Sequence, residues 1–461
     1  MKTEGEGIFH LHPKLINHKN GFKIIFAISF LYVLIFIKVP ALSQQFNPSD
    51  WKFESQREAI TPVSYIDSEA LFNENQTLAL KGAGKEYADG HWYKKVNVEP
   101  EKYFQFRAYF TDSAVDEPNR SILARILWQK ESGEQVGFTE YPAVLHEKTN
   151  DGWSIISQTY KVPAEAKEAK IELHYRWDGD GIVHFGGVSF EKINPPEHRK
   201  VRIATINYRP RNSKSSMENL EKFSELIAKA AAQKADIVCL PEGVTLAGTN
   251  LNYVSASEPV PGPTTQFLGN IARKYNLYIV AGILEKKGDV VYNTSVLINR
   301  DGDLVGKYHK LSLPREEIDG GVTPGDSLPV FNTDFGRIGM MICWDVTFPE
   351  TARTLAREGA EVIFLPIWGG NLTLTKARAI ENQVYVVSSS YDMISAVFDQ
   401  EGNVMKEATK NEPVAVVDID LNKQKLWPWL GDFKNRIPSE MPPQKAVQNK
   451  TDKFTLIVSQ R

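Results

Sequence analysis

The feature that most constrains this chain is a change of hydrophobic period at Asn194-Pro195-Pro196-Glu197-His198-Arg199. Upstream, apolar residues recur every second position. In YFQFRAYF (103–110), Phe104, Phe106, Ala108 and Phe110 share a face, and in IELHYRW (171–177) Ile171, Leu173, Tyr175 and Trp177 do, with Glu172, His174 and Arg176 opposite. That alternation marks half-buried strands. Turn signals such as Glu131-Ser132-Gly133, Asn150-Asp151-Gly152 and Asp178-Gly179-Asp180-Gly181 separate the runs. Many short strands at this spacing predict an all-β sandwich or jelly roll over 44–196. The paired prolines stop its last strand and make a stiff connection.

Downstream, over 200–424, strand-like and helix-like stretches alternate. Val201–Tyr208 reads as a strand. In 217–233, Leu220, Phe223, Leu226, Ile227 and Ala230 fall on one helical face. Asp236–Pro241 reads as a buried strand, followed by helix 264–275, strand 277–284 and a hairpin through Asn299-Arg300-Asp301-Gly302. Strand 337–342, helix 348–358, strand 361–366, helix 374–383 and three further strands complete the pattern, which predicts an α/β unit with helices covering a sheet. Neither the dinucleotide G-x-G-x-x-G nor the phosphate-binding G-x-x-x-x-G-K-[ST] occurs.

The first 43 residues stand apart. Residues 24–37, IIFAISFLYVLIFI, follow Lys14, Lys19 and Lys23 and precede Pro40-Ala41-Leu42-Ser43. A basic region, an apolar stretch and a small-residue end predict an export signal, with a retained membrane anchor as the alternative. A span needs about 17 to 20 apolar residues, and Lys38 ends the run early. The expected location is periplasmic or secreted. A net charge of −3 gives no electrostatic case for nucleic acid as a partner. Two cysteines, Cys239 and Cys343, exclude a disulfide scaffold and a four-cysteine zinc site.

Three segments carry candidate chemistry. GRIGMMICWDVTFPE (336–350) runs a strand into Cys343 and stops in a polar turn before a helix near Pro349. A nucleophile there is exposed on a sharp turn and backed by free amides that can hold an oxyanion. IVCLPEGVT (237–245) delivers Glu242 at the carboxyl end of an apolar strand, where open α/β sheets place ligand sites. GKYHKLSLPREEIDGGVTPGD (306–326) carries Lys310 in a strand-like run ending at Pro314. Taken singly, each has a plain alternative: a core cysteine, a surface carboxylate, a solvated lysine. A Cys–His protease would need His309 in place of Lys310, and strand neighbours cannot both aim at one atom.

Together, LPEG (240–243), YHK (308–310), TPGD (323–326), GRIGMMICWDVTFPE and RAIENQ (378–383) resemble, in kind and order, the carbon-nitrogen hydrolase family, or nitrilase superfamily. The resemblance implies a four-layer αββα sandwich and thiol-dependent hydrolysis of non-peptide C–N bonds without metal or cofactor. It implies Glu242 as general base, Lys310 as oxyanion-stabilising cation, Cys343 as nucleophile, and Glu317, or its neighbour Glu316, as second glutamate. The Trp344 amide would complete the oxyanion site. Nitrile hydrolysers of the family usually carry Cys-Trp-Glu. Cys343-Trp344-Asp345 looks more like the amidase and N-carbamoyl-amine branches, so a small amide or carbamoyl substrate is expected. Acyl-transferring members carry several membrane spans, and secreted amidase members carry their extra domain after the catalytic one.

Residues 425–461, with LWPWLGDFKNRIPSEMP, resemble the family's C-terminal arm and imply a homo-oligomer. The segments ILWQKESGEQV and DGWSIISQTYKVPAEAKEAKIELHYRW resemble jelly-roll carbohydrate-binding domains, which implies polysaccharide as a partner. Trp92, Tyr93, Trp128, Tyr141, Trp153 and Trp177 are the rings available for stacking on sugar. The competing readings are a non-catalytic glycan-binding protein with a vestigial hydrolase fold, and an acyltransferase of the same superfamily.

Overall fold

The computed structural model of the protein describes residues 46–423 and 425–443. The expected export signal and the end of the arm lie outside the described residues. Among the described residues, no helix is long and apolar enough to cross a membrane.

The N-terminal region forms two antiparallel sheets. One has the strand order Lys52–Glu54, Asp89–Asn97, Glu168–Arg176, Ile122–Gln129. The other runs Val63–Phe72, Asn75–Lys81, Ile182–Ile193, Tyr103–Ser113, Ser154–Lys161, Ala143–Lys148. Their facing sides share one core, in which Phe104, Phe106, Ala108 and Phe110 meet Ile171, Leu173 and Tyr175. Period two thus positioned the core faces. It misplaced Trp177, which sits one residue past its strand with φ +59° and is 36% exposed. It also misplaced the opposite face, because Glu172 and His174 are buried. Glu172 accepts from Arg125 (2.6 Å) and His174 (2.9 Å) and pairs with Lys170 (3.0 Å). Burial pushes its carboxyl up, but the hydrogen bond from His174 and the Arg125 charge hold it well below the usual range.

Of the six rings, Trp92, Trp128 and Trp153 are core. Arg120 and Arg176 lie over Trp177, Lys170 over Tyr93 and Arg436 over Tyr141.

The second region builds two six-stranded sheets. The first contains β1 (Lys200–Ile206), β2 (Ile237–Cys239), β3 (Tyr278–Lys287), β4 (Val290–Ile298) and β5 (Leu304–His309). The second contains β6 (Val330–Asn332), β7 (Arg337–Met340), β8 (Val362–Ile367), β9 (Tyr385–Ser390), β10 (Ser395–Phe398) and β11 (Val404–Ala408). The last strand, β12 (Val414–Asp420), returns to the first sheet and pairs antiparallel with β1, Lys200 opposite Asp420. Four strands therefore follow the last long helix, where the sequence pattern suggested three. VMKEA of β11 lies exposed at a sheet edge and carries no buried period to betray it.

Helices α1 (Ser216–Ala232) and α2 (Pro263–Tyr275) cover the first sheet through Leu220, Phe223 and Leu268. Helices α3 (Pro349–Arg357) and α4 (Leu372–Asn382) cover the second through Leu355 and Ala379. Between the sheets, Ile203, Ile237, Val280 and Leu297 meet Ile338, Val362, Phe364 and Val387. The result is an αββα sandwich, the fold implied for 200–424.

Strand direction gathers the site. β1, β2 and β3 are parallel, and β4 then β5 reverse twice, so β2, β3 and β5 end at one edge. Glu242 follows β2 and Lys310 follows β5, one residue past the strand rather than inside it.

Candidate active site

Three loops and one strand converge there. Glu242 follows Pro241, and its loop lies so close to β3 that a Cβ at Gly282 would come within 2.6 Å of the Glu242 Cα. Only hydrogen fits. After Lys310, the chain turns through a helical turn, Arg315–Asp319, and folds back on β4, where the Thr323 N–H donates to Val291 O at 2.7 Å. Gly325 of TPGD donates to Lys310 O at 2.9 Å, and a Cβ on it would meet His309 O at 2.3 Å. Cys343 begins a 3-10 turn, Cys343–Thr347, with φ +42°, a left-handed backbone uncommon outside glycine.

That strained elbow is braced from both sides. The buried Asp345 carboxylate accepts from Ile342 N–H (2.9 Å), Ser312 N–H (2.9 Å) and the Tyr308 hydroxyl (2.7 Å). It therefore ties the cysteine turn to the lysine loop. Arg378, of RAIENQ, donates to Val346 O (3.0 Å) and Thr347 O (3.2 Å). YHK, CWD and RAIENQ thus meet at one corner.

Lys310 is 0% exposed and donates to Glu242 Oε1 (3.0 Å) and to Glu317 Oε1. Burial works against its charge, but Glu242, Cys343 and Glu317 around it outweigh that and raise its pKa. Glu317 is buried while Glu316 is exposed, so the structure brings Glu317 to the lysine. Burial pushes the Glu317 carboxyl up, with Lys310 opposing. The Cys343 thiol is pushed up to about 12, first by burial and then by the Glu242 charge, while Lys310 and the Trp368 N–H pull it down. Its Sγ contacts Gly369 O at 3.6 Å. The Trp344 ring is 43% exposed and stands edge-on to Phe348. His309 faces away, stacked on Tyr292 and bonded to Glu285 at 2.8 Å.

Two participants escaped sequence reasoning. Asn293 donates from Nδ2 to Glu242 Oε1 (2.7 Å) and Glu317 Oε2 (3.2 Å), bridging the glutamates. The Trp368 N–H donates to Glu242 Oε2 (2.9 Å). Asn293 was detectable as a lone amide in the apolar strand VVYNTSVLI. A backbone donor carries no signal in sequence.

Both cysteines are free. Among the described residues, His91, Glu172 and His174 have ligand atoms within 4.8 Å of one another, on the N-terminal sheet. Glu172 is already saturated by Arg125 and Lys170, whose charges oppose a metal ion.

The sequence of this unit has relatives. Residues 201–428 match the carbon-nitrogen hydrolase family. An omega-amidase of Bos taurus is 32% identical over 264 residues, covering 51% of this chain and 92% of that protein. A nitrilase of Pyrococcus abyssi is 37% identical over 264 residues, covering 51% and 97%. The crystal structure of a Saccharomyces cerevisiae member of branch 10 of the nitrilase superfamily aligns with TM-score 0.44 at 26% identity, covering 53% of this chain and 96% of that one. With nearly the whole length of such relatives matched above 30% identity, the chain belongs to the carbon-nitrogen hydrolase family.

Proposed function

We infer that the protein hydrolyses the C–N bond of a small amide or N-carbamoyl amine, with Cys343 as nucleophile. The observation that carries this reading is the left-handed Cys343 turn beside the buried Lys310–Glu242–Glu317 cluster, where the Glu242 and Lys310 charges both act on the thiol. A thiol pushed up to about 12 rests protonated at neutral pH, so its proton must leave as the S–C bond forms. Glu242 takes that proton. The carbonyl oxygen becomes an oxyanion, met by the Lys310 ammonium and the Trp344 amide. Collapse breaks the C–N bond, Glu242 returns the proton to the leaving nitrogen, and ammonia or an amine departs. Glu242 then draws a proton from water, whose oxygen attacks the thioester. The carboxylic acid leaves and Cys343 regains its proton. Glu317 holds Lys310 in place and charged.

Cys343-Trp344-Asp345 in place of Cys-Trp-Glu favours amide over nitrile. The names of the relatives span both, omega-amidase and nitrilase. Purified protein, residues 44–461, offered amides, ureides and nitriles should release ammonia from the first two classes. Cys343→Ala should lower that turnover roughly 10⁴-fold or more. Release from nitriles alone would overturn the substrate assignment, and an unaffected Cys343→Ala would overturn the mechanism.

The reading includes export through residues 1–43, a homo-oligomer, and a jelly-roll N-terminal domain with polysaccharide as partner. With three of its six rings in the core, sugar would have to meet Tyr93, Tyr141 or Trp177, each already carrying a cation. Isothermal titration against a glycan panel tests the partner, and no heat for any member would remove it.

A further inference from the structure

A cleft of about 980 Å³ lies between the two-sheet domain, the hydrolase unit and the arm, and shares no residue with the Glu242–Lys310–Cys343 site. Small-ligand sites reach roughly this size, about 300–1,000 Å³. Its walls carry seven lysines and arginines against five aspartates and glutamates. Two of those acids, Glu140 and Asp432, are pushed up by burial, Glu140 to about 7. The walls are therefore net positive near neutral pH.

Several cations already have partners. Arg199 grips Glu361 through two nitrogens, Lys161 pairs with Glu101, and Lys425 with Glu401. Lys434 is different. It lines the cleft and makes no ion pair with a carboxylate among the described residues. Burial lowers its pKa, and the charges of Glu361 and Asp432 do not make up for it. Lys434 is half-buried, and a partly desolvated cation without a hydrogen-bonded counter-ion is costly. On the same walls Arg337 Nε, the Tyr160 hydroxyl and Gln383 Oε1 are buried without a hydrogen-bond partner. Arg337 already lies 3.9 Å from Glu147 through its Nη1, so the lysine alone lacks a counter-ion and suits one negative charge, a carboxylate rather than a phosphate dianion. The neutral donor and acceptor suit hydroxyls.

We propose that this cleft binds a small hydroxylated carboxylate, whose carboxylate is the counter-ion of Lys434 and accepts from Arg337 Nε, and whose hydroxyls pair with Tyr160 and Gln383. The proposal stands apart from the catalytic reading. The test uses the intact protein with three probes: glucuronate, glucose and inorganic phosphate. Titration should show glucuronate binding at least tenfold tighter than glucose or phosphate. Glucuronate alone should protect Lys434 from reductive methylation, read by peptide mass spectrometry, which needs no variant. Lys434→Gln should weaken glucuronate binding at least tenfold and Lys434→Arg should preserve it, both with unchanged turnover of a small amide. Absence of heat and of protection with glucuronate would overturn the proposal. So would equal protection by glucose, or tighter binding of phosphate.

Discussion

Asn293 is the residue whose environment says most about the site. Its one amide group donates to two buried carboxylates, and Lys310 donates to the same two. Hydrogen bonds to charged groups contribute about 1.5–3 kcal/mol. Asn293→Ala should therefore lower kcat/KM roughly 10- to 100-fold, with kcat carrying most of the loss. Asn293→Asp is the sharper probe. It puts a third carboxylate beside Glu242 and Glu317, and like charges raise one another's pKa. The acid limb of the rate–pH profile should move to higher pH, and an unmoved limb would make Asn293 merely structural. Glu242, Lys310 and Cys343 were legible because each follows a strand in a recognisable motif. Choosing Glu317 over Glu316 required the fold, since only the turn after Pro314 decides which carboxylate faces inward.

At the scale of elements, the reading of helices and strands came within a few residues almost everywhere, because long amphipathic stretches such as α1 announce their period. What stayed hidden was the bracing of one element by another. Asp345 joins the end of β7 to β5 and the loop after it by accepting three hydrogen bonds, two of them from residues more than thirty positions away in sequence. Asp345→Asn keeps the shape but turns an amide toward one of those donors. An unsatisfied buried donor costs about 1–3 kcal/mol. The variant should melt lower than wild type, and its turnover should fall further than that instability explains, because the Cys343 elbow loosens. Unchanged kcat at equal folded fraction would remove Asp345 from the positioning of the nucleophile.

At the scale of the molecule, the arm is the surprise. Sequence resemblance marks residues 425–461 as an arm and implies a homo-oligomer. Over 425–443 it lies on the N-terminal domain of its own chain: Arg176 donates to Ser439 O (2.8 Å), Arg436 covers Tyr141, and Gly431 abuts Phe138. Contacts between distant surfaces leave no periodic trace, so this was not legible. Removing 46–195 should strip those contacts, and residues 197–461 should aggregate or melt well below the intact protein. A stable, fully active remnant would favour an independent tethering domain. Glu140 gives a pH signature of the same interface. Its folded pKa of about 7 lies above the usual value near 4.5, so the folded state holds the proton more tightly. Its contribution to stability is then fully present below about pH 4.5 and is lost as pH rises through 7, by up to about 3 kcal/mol. Glu140→Gln should flatten that decline in thermal melts taken across the window.

The pairing of Lys200 with Asp420 sets the entry and exit of the catalytic unit side by side. Both appendages therefore leave from one point, which lets the N-terminal domain and the arm meet. The same adjacency makes the unit closable into a ring. A short linker from 421 to 200, with new ends opened at the exposed Gly288 turn between β3 and β4, should leave every sheet neighbour intact. Chain order would then be a matter of history, and the chemistry would belong to the ring.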